Sequence, residues 1–316
     1  PATPQVTAVR SKTIVLSWSP PAANGAPITG YTVSGGGITR ECAATTCTID
    51  GLRNNAEYSF TVTATNEVGT SDPSPASASA RPDERPSAPG APVATFGDRQ
   101  LQLTWAAPTG YEGSPVESYT LEISPAPPSG SAQTSVNGTS HTWTGLANGT
   151  AYQVRVQAHN RADSPSDWSG YGGETPAGVP STPGQPQVSG LNPVGNQNQV
   201  EVSWAAADRN GADVTGYTLA VMQGGSTVNT LQVGGGSTSQ AVTLATSESG
   251  YTFAVTATNR AGTSASSAAS SARRSVVPPG APSAVTASEG DNQVPISFGN
   301  AAGNGASAGE ISYQYQ

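Results

Sequence analysis

Apolar and polar residues alternate along most of this chain. The stretches "TIVLSWSPP" (13–21), "QLQLTWAAP" (100–108), "QVEVSWAAA" (199–207) and "QVPISFGNA" (293–301) alternate with period two and close on an aromatic residue. That period predicts strands with one buried and one solvated face, because successive strand side chains point to opposite sides. A second set follows at fixed distance: "ITGYTVSG" (28–35), "VESYTLEI" (116–123), "VTGYTLAV" (214–221) and "ISYQYQ" (311–316). A third set is "AEYSFTVTATNEVGTS" (56–71), "TAYQVRVQAHNRA" (150–162) and "SGYTFAVTATNRAGTS" (249–264). No helical period competes with these, so the chain is expected to be all-β.

The sets recur at domain spacing. Trp18 to Trp105 is 87 residues, Trp105 to Trp204 is 99 and Trp204 to Phe298 is 94. A repeat this long buries its own core, unlike a solenoid unit. Each full repeat carries an inner aromatic on the second strand (Trp18, Trp105, Trp204) and a tyrosine on the third (Tyr31, Tyr119, Tyr217). Another tyrosine starts the sixth (Tyr58, Tyr152, Tyr251), and "ATN" or "AHN" closes that strand at Asn66, Asn160 and Asn259. This set of residues resembles the fibronectin type III family over essentially the whole chain. The resemblance implies tandem seven-stranded antiparallel, immunoglobulin-like sandwiches of about 100 residues, with the late tyrosine as a tyrosine corner. The expected domains are 1–82, 83–177, 178–277 and a partial fourth, 278–316, holding only the first three strands. Phe298 takes the place of the inner tryptophan in the last. Trp143 falls where Ile49 sits in the first repeat and is assigned to the core. Proline-dense joints at 80–92, 175–186 and 275–282 favour semi-rigid polyproline II at about 3.1 Å per residue, hence an elongated rod.

Composition narrows the function classes. Charged residues are 11% of the chain and the net charge is −8, which leaves no basic footprint for nucleic acid. The region 86–177 carries three positive and seven negative residues and is the acidic one. No apolar run reaches the roughly 18 residues of a membrane span. Lys12 is the single lysine, which reads as a bacterial sequence of actinobacterial type; the chain begins without methionine and reads as part of a longer protein.

Chemistry-bearing constellations are missing. His141 and His159 lie on strands with no Cys or carboxylate cluster spaced for a metal, and no nucleophile elbow, phosphate loop or carboxylate pair occurs. No metal, cofactor or catalytic residue is therefore assigned. The "GGG" runs at 35–37 and 234–236 sit between strands, where positive φ is wanted. Two "NGT" sequons, at Asn137 and Asn148, matter only in a eukaryotic secretory pathway, and no RGD tripeptide occurs. Cys42 and Cys47 fall at the ends of strands flanking a hairpin, so a cross-hairpin disulfide is expected, worth about 2 kcal/mol through loop closure. Such a bond places the chain in an oxidising, exported compartment.

One segment departs from the pattern. After the sixth strand the first and third repeats run plainly as "EVGTS" and "RAGTS", whereas the second continues "RADSPSDWSGYGGE" (161–174). It reads as a longer acidic loop carrying Asp163, Asp167, Trp168 and Tyr171, with Tyr111 in the neighbouring loop "APTGYEGSP". Rigid aromatics on adjacent loops suit a protein-binding patch. "PSDWS", residues Pro165, Ser166, Asp167, Trp168 and Ser169, is also similar to four of the five positions of the WSxWS box of class I cytokine receptors. That resemblance implies a cation stacked on Trp168, for which outward-facing Arg155 is the candidate. It also implies a ligand surface at the joint from Arg81 to Pro92. The chain departs from that family in having proline for the first box tryptophan, one cysteine pair and a long proline-rich joint. Trp168 is then either a brace on its own sheet, the preferred reading, or part of a recognition surface.

Two functions follow as expectations. One is a non-catalytic adhesion or interaction module on a bacterial surface, binding a host cytokine or a matrix or surface protein. The other is a passive spacer in a secreted or wall-attached carbohydrate-active enzyme.

Overall fold

A computed structural model describes residues 1–288, 290, 291, 293–304, 306, 309 and 311–314. The first repeat folds into β1 (Gln5–Arg10), β2 (Thr13–Ser17), β3 (Ile28–Gly35), β4 (Ile38–Cys42), β5 (Thr46–Ile49) and β6 (Thr61–Asn66). They form two antiparallel sheets, β1-β2-β5 and β4-β3-β6. The inward residues of each alternation meet between the sheets: Ile14, Leu16, Trp18, Tyr31, Val33, Ile49 and Val62 are all buried. Burial of this kind is worth about 1.5–3 kcal/mol per large side chain, which is why the period-two pattern decides the fold.

The second repeat contains β7 (Val93–Gly97), β8 (Gln100–Thr104), β9 (Ser118–Ser124), β10 (Gln133–Val136), β11 (Ser140–Thr144), β12 (Tyr152–His159) and β13 (Gly172–Glu174). Its sheets are β11-β8-β7 and β10-β9-β12-β13, closing on Trp105, Tyr119, Trp143 and Tyr152. The third has β14 (Gln187–Val194), β15 (Gln197–Ser203), β16 (Gly216–Gln223), β17 (Ser226–Gly234), β18 (Ser239–Ala245), β19 (Ser247–Asn259), β20 (Gly262–Thr263) and β21 (Arg273–Ser275). Sheet β14-β15-β18 faces β17-β16-β19-β20, with β21 also on β19, around Trp204, Tyr217 and Tyr251. In each sandwich the inner Trp meets the inner Tyr edge-to-face, with centroids 5.4, 5.4 and 5.5 Å apart. Tyr58 is half-buried, and its hydroxyl accepts the Arg53 N–H at 2.9 Å, as a tyrosine corner should.

By contact, Pro1–Phe96, Gln100–Leu146 and Ala151–Glu174 make one compact unit. Gly97–Arg99, Ala147–Thr150 and Thr175–Gln316 make the other.

Three expectations change. Cys42 and Cys47 are bonded, but not across a hairpin ladder: β4 pairs with β3 and β5 pairs with β2, so the bridge ties one sheet to the other. Four intervening residues are just enough to carry the chain over the sandwich edge. In the last repeat β22 (Ser283–Ala287) and β23 (Ile296–Gly299) form a two-stranded sheet, whereas 311–314 are not a strand and 315–316 lie outside the described residues. Phe298, expected in a core, is 42% exposed and rests on Tyr313 at 4.9 Å, because among the described residues no second sheet stands over it. The glycine runs also divide. Gly36 is left-handed (φ 56°) and passes so close to Tyr58 that a Cβ would lie 2.4 Å from its ring. Gly235 is instead required by approach, since a Cβ would lie 1.9 Å from the Val214 carbonyl.

The final strand of the sandwiches is built mostly without a β ladder. In the first, Ser71, Ser74 and Ser77 donate their N–H to the carbonyls of Ala64, Val62 and Phe60. Their hydroxyls accept the N–H of the same three residues at 3.0, 3.0 and 3.1 Å and donate to the next carbonyl along their own strand. Ser264, Ser267 and Ser270 repeat this against Ala257, Val255 and Phe253. A spacing of three fits polyproline II, which returns a side chain to the same face every third residue. Ser74→Ala would leave the buried Val62 N–H without its acceptor and is expected to cost about 1–2 kcal/mol in denaturant unfolding. Unchanged stability would show that the hydroxyl is dispensable.

Candidate functional site

The segment 161–174 is where that serine device meets the expected box. Ser166 and Ser169 are buried, and their hydroxyls accept the N–H of Ala158 and Val156 at 2.8 and 2.9 Å. Their own N–H groups donate to the carbonyls of the same residues. The stretch from Ser166 onward is therefore not the long loop expected from sequence. It runs along β12 as its edge partner and ends in β13, and only 161–164 form a bend at the pole.

This alternation sends Trp168 to the outer face of the β10-β9-β12-β13 sheet. The Arg155 guanidinium lies 4.5 Å from the Trp168 ring centroid and 5.4 Å from that of Tyr171, so one cation serves two aromatic faces. Arg155 is fixed from the other side: its Nε donates to Glu122 Oε1 at 2.8 Å, and its second nitrogen is 2.6 Å from the same oxygen. Gln133 donates to Glu122 Oε2 at 2.8 Å. That amide bond, then the guanidinium, holds the Glu122 carboxyl below the usual carboxylate range. Gln157 closes the row on the Ser166 carbonyl at 2.8 Å. The row Gln133–Glu122–Arg155–Trp168 is a brace across neighbouring strands. Trp168 is half-buried within it and Pro165 half-buried beside it, whereas Tyr171 keeps 51% of its surface exposed.

The remaining candidates lie elsewhere. The Tyr111 hydroxyl donates to the Ser114 carbonyl at 3.1 Å and pins its own turn, and among the described residues no ring contact joins it to Trp168 or Tyr171. The expected patch of adjacent aromatics is thus divided, because the serine ladder carries the Trp168 segment away from the loop pole and onto the sheet. Asp167 is exposed, and its two oxygens receive Arg85 at 3.0 and 3.0 Å. Asp163 is exposed at the bend.

That Arg85 pair shows what the joint has become. Asp83 Oδ1 accepts the N–H groups of Glu84 and Ser114, and its Oδ2 accepts the Ser114 hydroxyl at 2.5 Å. Glu84 Oε2 accepts the Glu112 N–H at 2.7 Å, and Asn160 donates to the carbonyls of Glu84 and Ser114. Gly90 and Ser87 bond the carbonyls of Ala106 and Thr109. On the other side Arg81 reaches Glu57 and Asn55, and Lys12 pairs with Glu112 at 2.6 Å. The proline-rich linker is stitched down along most of its length. Sequence reading missed this network, most of whose partners stand far apart in the chain, Arg85 and Asp167 by 82 residues. It also missed the serine ladder, which the S-x-x-S spacing would have revealed.

His141 belongs to the packing around Trp143. It packs edge-to-face on Trp143 at 5.6 Å, and burial lowers its pKa. Between that lowered value and the unfolded one near 6.5, the unfolded chain binds more protons, so stability rises with pH and is lost as pH falls. Unfolding midpoints of the wild type are expected to drop from pH 7.5 to pH 5.5, and those of His141→Gln to drop less. Parallel curves would remove His141 as the cause.

The Fibronectin type III domain family model matches residues 1–80, 87–170 and 183–273. Netrin receptor DCC of Homo sapiens is 30% identical over 226 residues, 67% of this chain and 15% of that protein. Roundabout homolog 3 of Homo sapiens is 28% identical over 65% of this chain and 17% of its own length. Chitinase A1 of Niallia circulans is 30% identical over 52% of this chain and 24% of its own. The chain thus spans less than a quarter of the length of these relatives.

Proposed function

The chain belongs to the fibronectin type III family, and we propose that domains 1–82 and 83–177 form a non-catalytic, extracellular interaction module of a bacterial surface protein. Its ligand is a protein, with a host cytokine as the sharpest version and a matrix or surface protein as the broader one. The observation carrying this reading is Tyr171. A ring with 51% of its surface exposed, seated on a guanidinium that Glu122 holds still, presents a rigid amphipathic anchor at small entropic cost. The match to two receptors supports a recognition role for such modules, and the Cys42–Cys47 bond supports an oxidising compartment.

The test is binding of the whole chain to a panel of soluble cytokines and matrix proteins, comparing wild type with Tyr171→Ala while following Tm. Saturable binding that disappears in a variant of nearly unchanged Tm is the expected result. The similarity to a chitinase favours a second reading, a passive spacer in a secreted carbohydrate-active enzyme. No binding by the folded chain, with a catalytic region found beside it in the gene, would select the spacer.

A further inference from the structure

Five Asn-Gly pairs occur in the sequence, beginning at Asn24, Asn137, Asn148, Asn210 and Asn304. All carry the same latent chemistry. The glycine nitrogen attacks the side-chain carbonyl carbon of the asparagine, forming a C–N bond, while the Cγ–Nδ2 bond breaks. The amide nitrogen leaves as ammonia with the proton of the attacking N–H, and water opens the resulting cyclic imide to aspartate or isoaspartate. Glycine permits the attack because no Cβ crowds its nitrogen. We infer that in the folded chain this modification falls on Asn137, in the turn from β10 to β11, while the fold holds Asn24, Asn148 and Asn210 unreactive. The glycine of the fifth pair lies outside the described residues.

Two kinds of restraint protect the other three. Asn24 and Asn210 are left-handed, with φ of 48° and 47°. That region sets ψ at about +47°, which turns the following nitrogen to the side of the backbone opposite Cβ, so the ring closes only if the turn opens. The turn at Asn24 is shut by the Ala26 N–H on the Ala23 carbonyl at 3.2 Å. The Asn210 side chain is tied as well, its Nδ2 donating to the Val179 carbonyl at 2.9 Å. Asn148 is held by its bonds alone. Its Oδ1 accepts the Arg99 N–H at 2.8 Å, and its Nδ2 donates to Asp98 Oδ1 at 2.7 Å and to Asn210 Oδ1 at 2.8 Å. The nucleophile is engaged too, since the Gly149 N–H donates to the Pro176 carbonyl at 2.9 Å.

Asn137 has neither restraint. It is exposed and lies outside the left-handed region. Among the described residues neither its side chain nor the Gly138 N–H makes a hydrogen bond, and a Cβ built on Gly138 would meet nothing within 4 Å. The chain is anchored on both sides of the pair. Val136 sits opposite Tyr119 in one sheet, and in the other Ser140 sits opposite Thr104 while the Thr139 carbonyl accepts the Trp105 N–H at 3.1 Å. Between these anchors Asn137 and Gly138 turn without breaking a bond of the sandwich, so the ring closes from the folded state. In the first repeat the corresponding crossing from sheet to sheet is closed by the Cys42–Cys47 bond. Each event at Asn137 replaces a neutral amide with a carboxylate in the region 86–177, which already carries seven negative residues against three positive.

The test is to age the whole chain in warm, mildly alkaline buffer and follow each Asn-Gly peptide by mass spectrometry. Isoaspartate is counted separately, by enzymatic methylation of its carboxyl group. The Asn137 peptide is expected to convert at least about tenfold faster than those of Asn24, Asn148 and Asn210, which react only from locally opened states. In denaturing urea the four are expected to convert at similar rates, which separates the fold from the dipeptide. Gly138→Ala is expected to slow the Asn137 reaction in the folded chain about tenfold, because its methyl group crowds the nitrogen. Its Tm is expected to stay in place, the new Cβ meeting open space. Conversion of Asn24, Asn148 or Asn210 in the folded chain as fast as Asn137 would overturn the inference. So would an Asn137 that stays intact when folded but reacts in urea.

Discussion

Trp105→Ala is expected to destabilise the second sandwich by about 3–5 kcal/mol, and Trp105→Phe by about 1 kcal/mol. Trp105 is 7% exposed, closes β8 and meets Tyr119 edge-to-face at 5.4 Å. Alanine removes one of the two largest side chains from a core only two sheets thick and ends the aromatic pair, itself worth about 0.5–1.5 kcal/mol. Phenylalanine keeps a ring in the same place. It also removes a liability, because the indole N–H of Trp105 is buried without a hydrogen-bond partner, as are those of Trp18 and Trp204. An orphan donor costs about 1–3 kcal/mol of desolvation, which offsets much of the smaller ring's lost burial. Denaturant unfolding followed by circular dichroism separates the variants. If phenylalanine proves as costly as alanine, the indole N–H has an acceptor and the argument fails. The fourth repeat carries phenylalanine, Phe298, at the corresponding place in its sequence.

Trp168→Ala is expected to cost about 2–3 kcal/mol, and Tyr171→Ala less than about 1 kcal/mol. Trp168 covers Arg155 and the sheet beneath it, whereas half of Tyr171 already faces solvent. A double-mutant cycle between Trp168→Ala and Arg155→Ala is expected to return a coupling of about 1 kcal/mol, because either substitution removes the same guanidinium–ring contact. Near-zero coupling with a small cost for Trp168→Ala would mean that the ring is not a brace. It would then return to the recognition surface, alongside Tyr171.

Much of this was readable from residue order. The inner aromatics at 18, 105 and 204 and the tyrosines at 31, 119 and 217 were recognisable because period-two alternation is a local property, carried by residues two apart on one strand. Arg155 was recognisable beneath Trp168 for a similar reason: Tyr152, Val154 and Val156 alternate inward, which leaves residue 155 outside. The serine spacing in "SDPSPASASA" and "SASSAASSA" was equally local and went unread because it has a period of three, not two.

What lay beyond local pattern is pairing. The sequence by itself determined an all-β chain, its repeat, which residues turn inward, and that Cys42 and Cys47 stand close enough to bond. Only the fold decided that this bond joins opposite sheets, that the stretch holding Trp168 is an edge strand, and that Tyr111 pins its own turn. It also decided that Arg85 finds Asp167 across 82 residues. Alternation tells a strand which face to bury, since burying apolar area is worth the same against any core. It does not tell an edge which neighbour completes its hydrogen bonds, or a charge which counter-charge it meets. Those choices follow from the register and packing of segments far apart in the chain, and the candidate sites are built from them.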